Sequence, residues 1–434
     1  MEGRRPHLRS LTVYLRGERI GTLETRGGGG RLRFTYTPET VARYVGGTYL
    51  LSLSLPVRET AYANAETRPY FDGLLPEGTA REAIARAVGS SPDNTFALLE
   101  RLGRDCAGAV VLLPPDEELA ARSAEVRWLS DDELRDKLGN IDVAPLGVEP
   151  GREIRLSLAG AQPKLVVTRD RAGRFGLPLG DMPTTQILKP ARANYEDLVT
   201  NEAFCLRVAR CSGAETADAE VEVIAGIETL VIERFDRTFE GATLVRVHQE
   251  DFCQAAGVLP QLKYEADGGP RFRDLVEIVR GLRTPGLTGA EIRLWHALLL
   301  NFMLGNADAH AKNFSLLTFE NEADGPTFYD IRVAPLYDIV CTAVYRELTP
   351  RLAMSIGGVD DPADITLESF REEARASQLG GAEPLRLMQE LGARILACAR
   401  ATATVAHDEG WHRPVIDEVV RICEQRAAQL GIDA

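Results

Sequence analysis

The chain has 434 residues, which is enough for two or three domains. Its 50 Lys and Arg residues and 64 Asp and Glu residues give a net charge of −14. Because phosphate binding needs a basic face, the chain is a poor candidate for binding nucleic acid without a partner. With 44% hydrophobic and 26% charged residues, the composition is that of a globular protein and excludes a disordered or fibrous chain.

Targeting features and cysteine spacing favour a cytoplasmic protein. No uninterrupted apolar run approaches the roughly 18 residues that a membrane span requires, and no apolar stretch of a secretory signal follows the charged start. The seven cysteines are odd in number and widely spaced, without a C-x-x-C pair. This pattern predicts neither a disulfide framework nor a zinc ribbon, and we interpret the cysteines as small buried apolar residues in a reducing compartment.

The first part of the chain predicts β-strands. Residues 11–15 and 19–23 flank a turn at Gly17, which is typical of a hairpin. Residues 32–36 and 48–55 alternate apolar and polar side chains, as half-buried strands do.

From about residue 75 the pattern becomes helical. Asp93 or Asn94 can cap the apolar helix that follows, and Ser130 opens a capping box. The Gly- and Pro-rich stretch 140–151 indicates a boundary, so residues 1–150 form the first predicted subdomain, a β-sheet plus helices.

The remainder divides into two parts. Residues 151–247 alternate strands, loops and a helix, whereas residues 248–434 are mostly helical. Within the last part, residues 291–304 are apolar on every side, which predicts a buried central helix. The predicted fold class is therefore α+β, with a β-rich N-terminal subdomain and a mostly helical C-terminal lobe.

The clearest chemical signal follows that buried helix. The chain passes Gly305 and then presents Asp308, His310, Lys312 and Asn313 within eight residues, at the end of a rigid element, where active sites are commonly built. Asp308 and Asn313 have the separation of the kinase catalytic loop, in which Asp accepts the hydroxyl proton and Asn holds magnesium. A solvated turn after a capping glycine remains an alternative for this stretch.

Three further positions carry candidate functional groups. Asp338 lies in an otherwise apolar stretch, where a carboxylate needs a cation or donors, and magnesium is one answer and helix capping another. The small residues Ala159, Gly160 and Ala161 precede a strand and allow close approach of the backbone to phosphate. Lys189 ends an apolar strand and can reach nucleotide phosphates. Each feature alone is weak, and a plain turn or a solvated lysine would also account for the last two.

The order of these features is more informative than any one of them. The chain runs from a small-residue loop to a strand-end lysine, a helix, an apolar strand, a buried helix, the Asp–Asn loop and a final Asp. This is the chain order of a protein-kinase fold.

Several motifs resemble the HipA family of toxin serine/threonine kinases. They are residues 157–164, 232–237, 248–257 and 306–315, and the most diagnostic is Asp-Ala-His-Ala-Lys-Asn at 308–313. The N-terminal section also resembles that of the family at residues 51–56 and 71–76, so the resemblance covers nearly the whole chain. It implies a two-lobed kinase-like fold in which 151–247 is the N-lobe-like part with the ATP loop, and 248–434 the C-lobe with the catalytic loop.

The resemblance also implies a role for each matched residue. Asp308 would be the catalytic base, with Lys312 at the transferred phosphate and His310 in support. Asn313 and Asp338 would bind Mg²⁺. The residues that would contact ATP are Ser157, Ala159, Gly160, Ala161, Lys189, the backbone of Glu233 and Phe235, and Gln249. Ser157 would in addition be the autophosphorylated residue.

At the level of the cell, the resemblance implies the toxin of a type II toxin–antitoxin pair that inhibits growth. Its partners would be a HipB-like helix-turn-helix antitoxin, operator DNA reached mainly through that antitoxin, and a protein substrate, for which aminoacyl-tRNA synthetases are the class known in the family. Two alternatives are an antitoxin-bound co-repressor with little kinase activity and a metal-dependent phosphohydrolase using Asp308, His310 and Asp338. ATP consumption without a phosphorylated acceptor would distinguish the phosphohydrolase.

Overall fold

The structure, a computed structural model, describes residues 8–26, 30–119, 125–147, 158–160, 162–179, 182–192, 194–241, 243–321, 328–380 and 382–432. Its contacts define two compact units. Unit 1 comprises the described residues up to 190 together with 224–227 and 236–260, and unit 2 comprises 191–223, 228–235 and the residues from 261 onward. The predicted boundaries at 150 and 247 stay predictions.

The strands, in chain order, are β1 Leu8–Leu15, β2 Glu18–Arg26, β3 Leu32–Tyr36, β4 Val110–Leu113, β5 Val126–Trp128, β6 Leu165–Arg169, β7 Phe175–Pro178, β8 Gln186–Pro190, β9 Ala219–Ile224, β10 Ile227–Glu233, β11 Arg237–Glu240, β12 Thr243–Arg246, β13 His248–Asp251, β14 Ser315–Asn321 and β15 Phe328–Val333. The helices are α1 Pro38–Arg43, α2 Asn64–Gly73, α3 Gly78–Ala87, α4 Thr95–Leu102, α5 Asp131–Gly139, α6 Leu198–Cys211, α7 Phe252–Ala255, α8 Phe272–Gly281, α9 Ala290–Met303, α10 Leu367–Ala376, α11 Glu383–Asp408 and α12 Pro414–Gln429. None of the helices in the described ranges is long and apolar enough to cross a membrane.

Unit 1 begins with the predicted hairpin. Strands β1 and β2 pair antiparallel around a turn at Arg16 and Gly17, both with positive φ, in a sheet of order β3-β2-β1-β4. Leu11, Leu23 and Phe34 are fully buried on this sheet. A second set of strands is hydrogen-bonded in the order β5-β7-β6-β8. The predicted capping residues Asn94 and Ser130 do cap α4 and α5, which confirms those helix starts.

The strand predicted over residues 48–55 is wrong. This stretch forms turns instead, because its serines and one backbone amide are bound by side chains and backbone of the segment 250–254. Glu250 accepts hydrogen bonds from the Ser52 hydroxyl at 2.6 Å and the Leu53 amide at 3.0 Å, and the Ser54 hydroxyl donates to the Gln254 carbonyl at 2.8 Å. The Leu53 amide is thus satisfied by a side chain rather than by a neighbouring strand.

Burial of Glu250 has a consequence for stability. Desolvation raises the pKa of this carboxyl from 4.5 to about 8, since burial disfavours the charged form. The folded protein therefore keeps a proton that the unfolded chain releases above pH 4.5. This contribution to the free energy of unfolding is fully present below about pH 4.5 and is lost, at about 1.4 kcal/mol per pH unit, as the pH rises through 8.

We expect Glu250→Gln to reduce the pH dependence of stability between pH 5 and 9. The glutamine side chain can still accept a hydrogen bond from the Leu53 amide and form one with the Ser52 hydroxyl, but it does not ionise. Urea unfolding at several pH values should show the wild type losing a few kcal/mol over this range and the variant losing less. Glu118→Gln, at an exposed position of the same unit, should follow the wild type, and parallel curves for wild type and Glu250→Gln would contradict the prediction.

A buried ion-pair network also stabilises unit 1. The guanidinium of Arg237 donates to the Asp105 carboxylate at 2.8 Å and lies 2.9 Å from Asp236, and all three side chains are at most 4% exposed. Asp105 in addition accepts the Thr184 hydroxyl at 2.6 Å and the Thr184 amide at 3.1 Å. The network therefore ties the loop after α4 to the start of β11.

Unit 2 is mostly helical, and the predicted buried helix is its central element. Helix α9 places Trp295, Leu299 and Leu300 at no more than 1% exposure. The Trp295 indole donates to the carbonyl of Pro384 in α11 at 3.0 Å, which satisfies its buried N–H. The α+β class, with a β-rich N-terminal part and a mostly helical C-terminal part, is confirmed.

One prediction about the cysteines is also wrong. Cys211, at the end of α6, and Cys398, in α11, form a disulfide with Cα atoms 5.7 Å apart. The two residues are 187 positions apart, so no spacing in the sequence indicates the pair. The other five cysteines are buried thiols, as predicted.

Candidate active site

The loop after α9 is positioned by a glycine and an asparagine. Gly305 has a φ of +70°, and a Cβ atom there would lie about 3.0–3.1 Å from Ile422, Ala343 and Cys341, so a larger residue would crowd the loop. The next residue, Asn306, is 4% exposed, and its side chain donates to Asn301 of α9 at 2.7 Å. The loop therefore leaves a rigid helix along a fixed path.

Asn306 also links the two acidic candidates. Its carboxamide oxygen accepts from the Asp308 amide at 3.2 Å, and its nitrogen donates to the Asp338 carbonyl at 3.4 Å. A second link is Thr342, whose hydroxyl accepts from the Ala307 amide at 2.8 Å. The segments that carry Asp308 and Asp338 are thus held next to each other within unit 2.

Asp308 presents its carboxylate to solvent. The side chain is 51% exposed, in contrast to the loop residues around it. Oδ1 accepts a hydrogen bond from the Tyr264 hydroxyl at 2.9 Å, and Oδ2 lies 4.0 Å from Nε2 of His310, which is buried. A half-exposed carboxylate on a rigid loop is able to orient an incoming hydroxyl.

Asn313 and Lys312 complete the loop. The Asn313 side-chain nitrogen donates to the Asp308 carbonyl at 2.9 Å, so its amide oxygen is the atom available to a ligand. A carboxamide oxygen is a donor that suits Mg²⁺. Lys312 is 6% exposed, and its carbonyl accepts from the Tyr337 hydroxyl at 2.7 Å.

Asp338 is half-buried rather than fully buried, and its backbone is strained. Its φ is +57°, a conformation that non-glycine residues seldom adopt and that is commonly found at functional sites. Hydrogen bonds of the segment that follows fix this conformation. The side-chain oxygen of Asn201 in α6 accepts from the Cys341 amide at 2.9 Å, and its side-chain nitrogen donates to the Cys341 carbonyl at 3.0 Å. The carboxylate of Asp338 and the amide oxygen of Asn313 are the ligand types that fit magnesium, which usually takes one or two carboxylates plus phosphates.

No group of three or more His, Cys, Asp or Glu side chains suited to a metal occurs among the described residues. Magnesium usually takes one or two carboxylates together with substrate phosphates, so the predicted pair of Asn313 and Asp338 would need phosphate oxygens as further ligands.

The predicted adenine segment lies beside the same loop. The Phe235 ring packs on Tyr337 with centroids 5.5 Å apart, and the Tyr337 hydroxyl is 2.6 Å from that of Ser315. The Glu233 amide donates to the Asp218 carbonyl at 2.8 Å. The assignment of the Glu233 and Phe235 backbone to adenine stays a prediction.

The other predicted ATP contacts belong to unit 1. Gly160 has a φ of +114°, and a Cβ there would lie 2.7 Å from Nζ of Lys164, which donates to the Ala159 carbonyl at 2.9 Å. The predicted approach of this backbone to phosphate stays a prediction. Ser157 and Ala161 lie outside the described residues.

Lys189 and Gln249 are placed on strands of unit 1. Lys189 lies on β8 and is 5% exposed, so it is not the solvated strand-end lysine of the simpler interpretation. Gln249 lies on β13 and is half-buried. Their assignment to ATP stays a prediction.

Comparison with known proteins identifies the family. The profile of the HipA N-terminal domain matches residues 11–113, and that of the HipA-like C-terminal domain matches residues 156–403. The chain belongs to the HipA family. A putative kinase of Sinorhizobium fredii, Y4mE, is 39% identical over 382 residues, covering 86% of this chain and 87% of that protein. The serine/threonine-protein kinase toxin HipA of Shewanella oneidensis is 30% identical over 355 residues, covering 77% and 78% of the two chains.

A solved structure shows the same fold. The HipA chain from a complex of Shewanella oneidensis HipA, HipB and operator DNA has a TM-score of 0.79 to this chain, at 24% identity and 97% coverage of both. The predicted HipA-type, kinase-like fold is thereby confirmed.

Sequence reasoning missed two residues that organise the loop. Asn306 was not singled out, although an Asn directly after the glycine that ends a buried helix is a recognisable signal. Tyr264 lies 44 residues before Asp308, and nothing in the spacing connects them.

Proposed function

We propose that this chain is a serine/threonine protein kinase that uses ATP and Mg²⁺ and acts as the toxin of a type II toxin–antitoxin module. The observation that carries the proposal is the half-exposed Asp308 carboxylate, held through Asn306 beside the segment of Asp338. The family membership and the kinase names of the relatives support it.

In the proposed reaction, Asp308 orients the acceptor hydroxyl and takes its proton. The hydroxyl oxygen bonds to the γ-phosphorus while the bond from that phosphorus to the bridging oxygen breaks, which releases ADP. Asn313 and Asp338 would hold Mg²⁺, which when bound neutralises phosphate charge. Lys312 would contact the transferred phosphate, Lys189 the other phosphates, and His310 would support Asp308. Most of the rate then comes from positioning and charge neutralisation.

The proposed partners follow from the family and from the charge of the chain. The structural relative was solved with HipB and operator DNA, so we assign a HipB-like antitoxin to this chain. Because the net charge is −14, DNA affinity would come mainly from the antitoxin. The substrate would be a cytoplasmic protein, with aminoacyl-tRNA synthetases as the first class to examine.

Mass spectrometry of cell extract incubated with the protein and ATP tests the proposal. New phosphoserine or phosphothreonine should appear with the wild type and be absent with Asp308→Asn.

The same solved complex favours a second role as co-repressor, and that role predicts that Asp308→Asn still binds operator DNA with the antitoxin. ATP hydrolysis without a phosphorylated protein would instead indicate the phosphohydrolase.

Phosphorylation of Ser157 is expected to inhibit the kinase. It would add about −1.5 to −2 charges to the proposed ATP loop, where they repel the phosphates of the nucleotide. We expect Ser157→Asp to weaken ATP binding at least severalfold, measured by calorimetry, and more strongly than Ser157→Ala, which removes the hydroxyl without adding charge. Equal affinity of Ser157→Asp and wild type would contradict this.

A further inference from the structure

Tyr264 of unit 2 contacts two residues of the loop that carries the proposed base. Its hydroxyl donates to Oδ1 of Asp308 at 2.9 Å. Its ring meets His310 edge to face, with centroids 5.5 Å apart and planes at 72°. The proposed function assigns no role to this tyrosine.

The backbone of Tyr264 is fixed by its own turn. Its carbonyl accepts hydrogen bonds from the amides of Asp267 at 3.0 Å and Gly269 at 2.9 Å. A Cβ on Gly269 would lie 2.2 Å from the Leu262 carbonyl oxygen, so only glycine allows the turn to close. The tyrosine therefore projects from a defined backbone position.

The same turn is bonded to the catalytic loop. The Glu265 amide donates to the Ala353 carbonyl at 3.0 Å, and the Ala353 amide donates to the Ala307 carbonyl at 2.7 Å. The Glu265 carboxylate in turn accepts from the amide and hydroxyl of Ser355, at 2.6 and 2.9 Å. Two backbone hydrogen bonds through Ala353 thus join Glu265, which follows Tyr264, to Ala307, which precedes Asp308.

We propose that Tyr264 is a positioning residue that fixes the Asp308 carboxylate through its hydroxyl. This rests on the proposed function of Asp308. A half-exposed aspartate has rotational freedom about two bonds, and a phenol anchored by its backbone restricts that freedom at one oxygen. Each carboxylate oxygen accepts more than one hydrogen bond, so an acceptor hydroxyl can bind while the tyrosine stays in place.

The test is Tyr264→Phe in the full-length chain, which keeps the ring against His310 and removes the donor. Initial rates of label transfer from γ-labelled ATP to proteins of a cell extract should fall about tenfold at saturating ATP. The half-saturating ATP concentration and the thermal unfolding midpoint should stay at the wild-type values. Tyr49→Phe, at an exposed position of unit 1, is the matched control and should leave the rate unchanged.

A double-mutant cycle separates positioning from a purely structural role. In the Asp308→Asn background, Tyr264→Phe should cause no further loss. If Asp308→Asn is inactive while Tyr264→Phe keeps the wild-type rate, the inference about Tyr264 is overturned and the proposed function is not. A faster Tyr264→Phe would overturn it too, by showing that the hydroxyl occupies the acceptor position. A fully active Asp308→Asn would overturn the proposed function itself, and the role of Tyr264 with it.

Discussion

Replacing Asp308 by Asn is expected to reduce phosphoryl transfer by about 10²- to 10⁴-fold, the contribution that a positioned general base makes. Asn has nearly the same size, and its side-chain oxygen can still accept the Tyr264 hydrogen bond seen at 2.9 Å. It has no basic oxygen to take the proton of the acceptor. The measurement is label transfer from γ-labelled ATP to extract proteins, with wild type and variant compared at equal concentrations of folded protein.

A matched change elsewhere in unit 2 controls for charge. Asp364→Asn alters the net charge equally at an exposed position and should leave the rate at the wild-type value. Asp308→Asn should also bind ATP with near wild-type affinity, because the proposed phosphate and metal contacts are made by other residues. Transfer at more than about a tenth of the wild-type rate would remove Asp308 from the role of base.

Replacing Asp105 by Ala is expected to lower the free energy of unfolding by about 3–5 kcal/mol, the cost of removing one partner of a buried ion pair. The change takes from Arg237 a carboxylate at 2.8 Å and leaves the guanidinium buried. The hydroxyl and amide of Thr184 lose their acceptor as well. Urea unfolding measured at neutral pH checks the prediction.

The control for this change is Asp116→Ala, at an exposed position of the same unit, which should alter the free energy of unfolding by less than about 0.5 kcal/mol. A loss below about 1 kcal/mol in Asp105→Ala would show that Asp236 alone compensates the Arg237 charge. The activity of both variants should follow the fraction of folded protein, since neither Asp105 nor Asp116 belongs to the proposed catalytic loop.

The buried ion pair also shows the limits of a motif. The resemblance matched residues 232–237 as one motif and assigned the backbone of Glu233 and Phe235 to ATP. In the structure Phe235 packs on Tyr337, whereas Asp236 and Arg237 are buried in ion pairs with Asp105 and the loop after α4. A motif records that residues occur together, and it cannot separate those that face a ligand from those that hold the backbone.

Local patterns were sufficient for several elements. The hairpin of β1 and β2, the caps at Asn94 and Ser130 and the buried helix α9 follow from periodicity and from side chains that bond their own neighbours. Residues 48–55 were predicted wrongly because their alternation was real but their partners, Glu250 and Gln254, lie about 200 positions away.

The sequence by itself determined the α+β class and the buried helix that leads to the loop, since both follow from the hydrophobic pattern along the chain. Tertiary structure alone decided that Asn306 joins the segments of Asp308 and Asp338, that Tyr264 bonds the carboxylate, and that Cys211 meets Cys398. These contacts join residues that are distant in the chain, and only the packing of helices and loops brings such atoms within hydrogen-bonding or covalent distance.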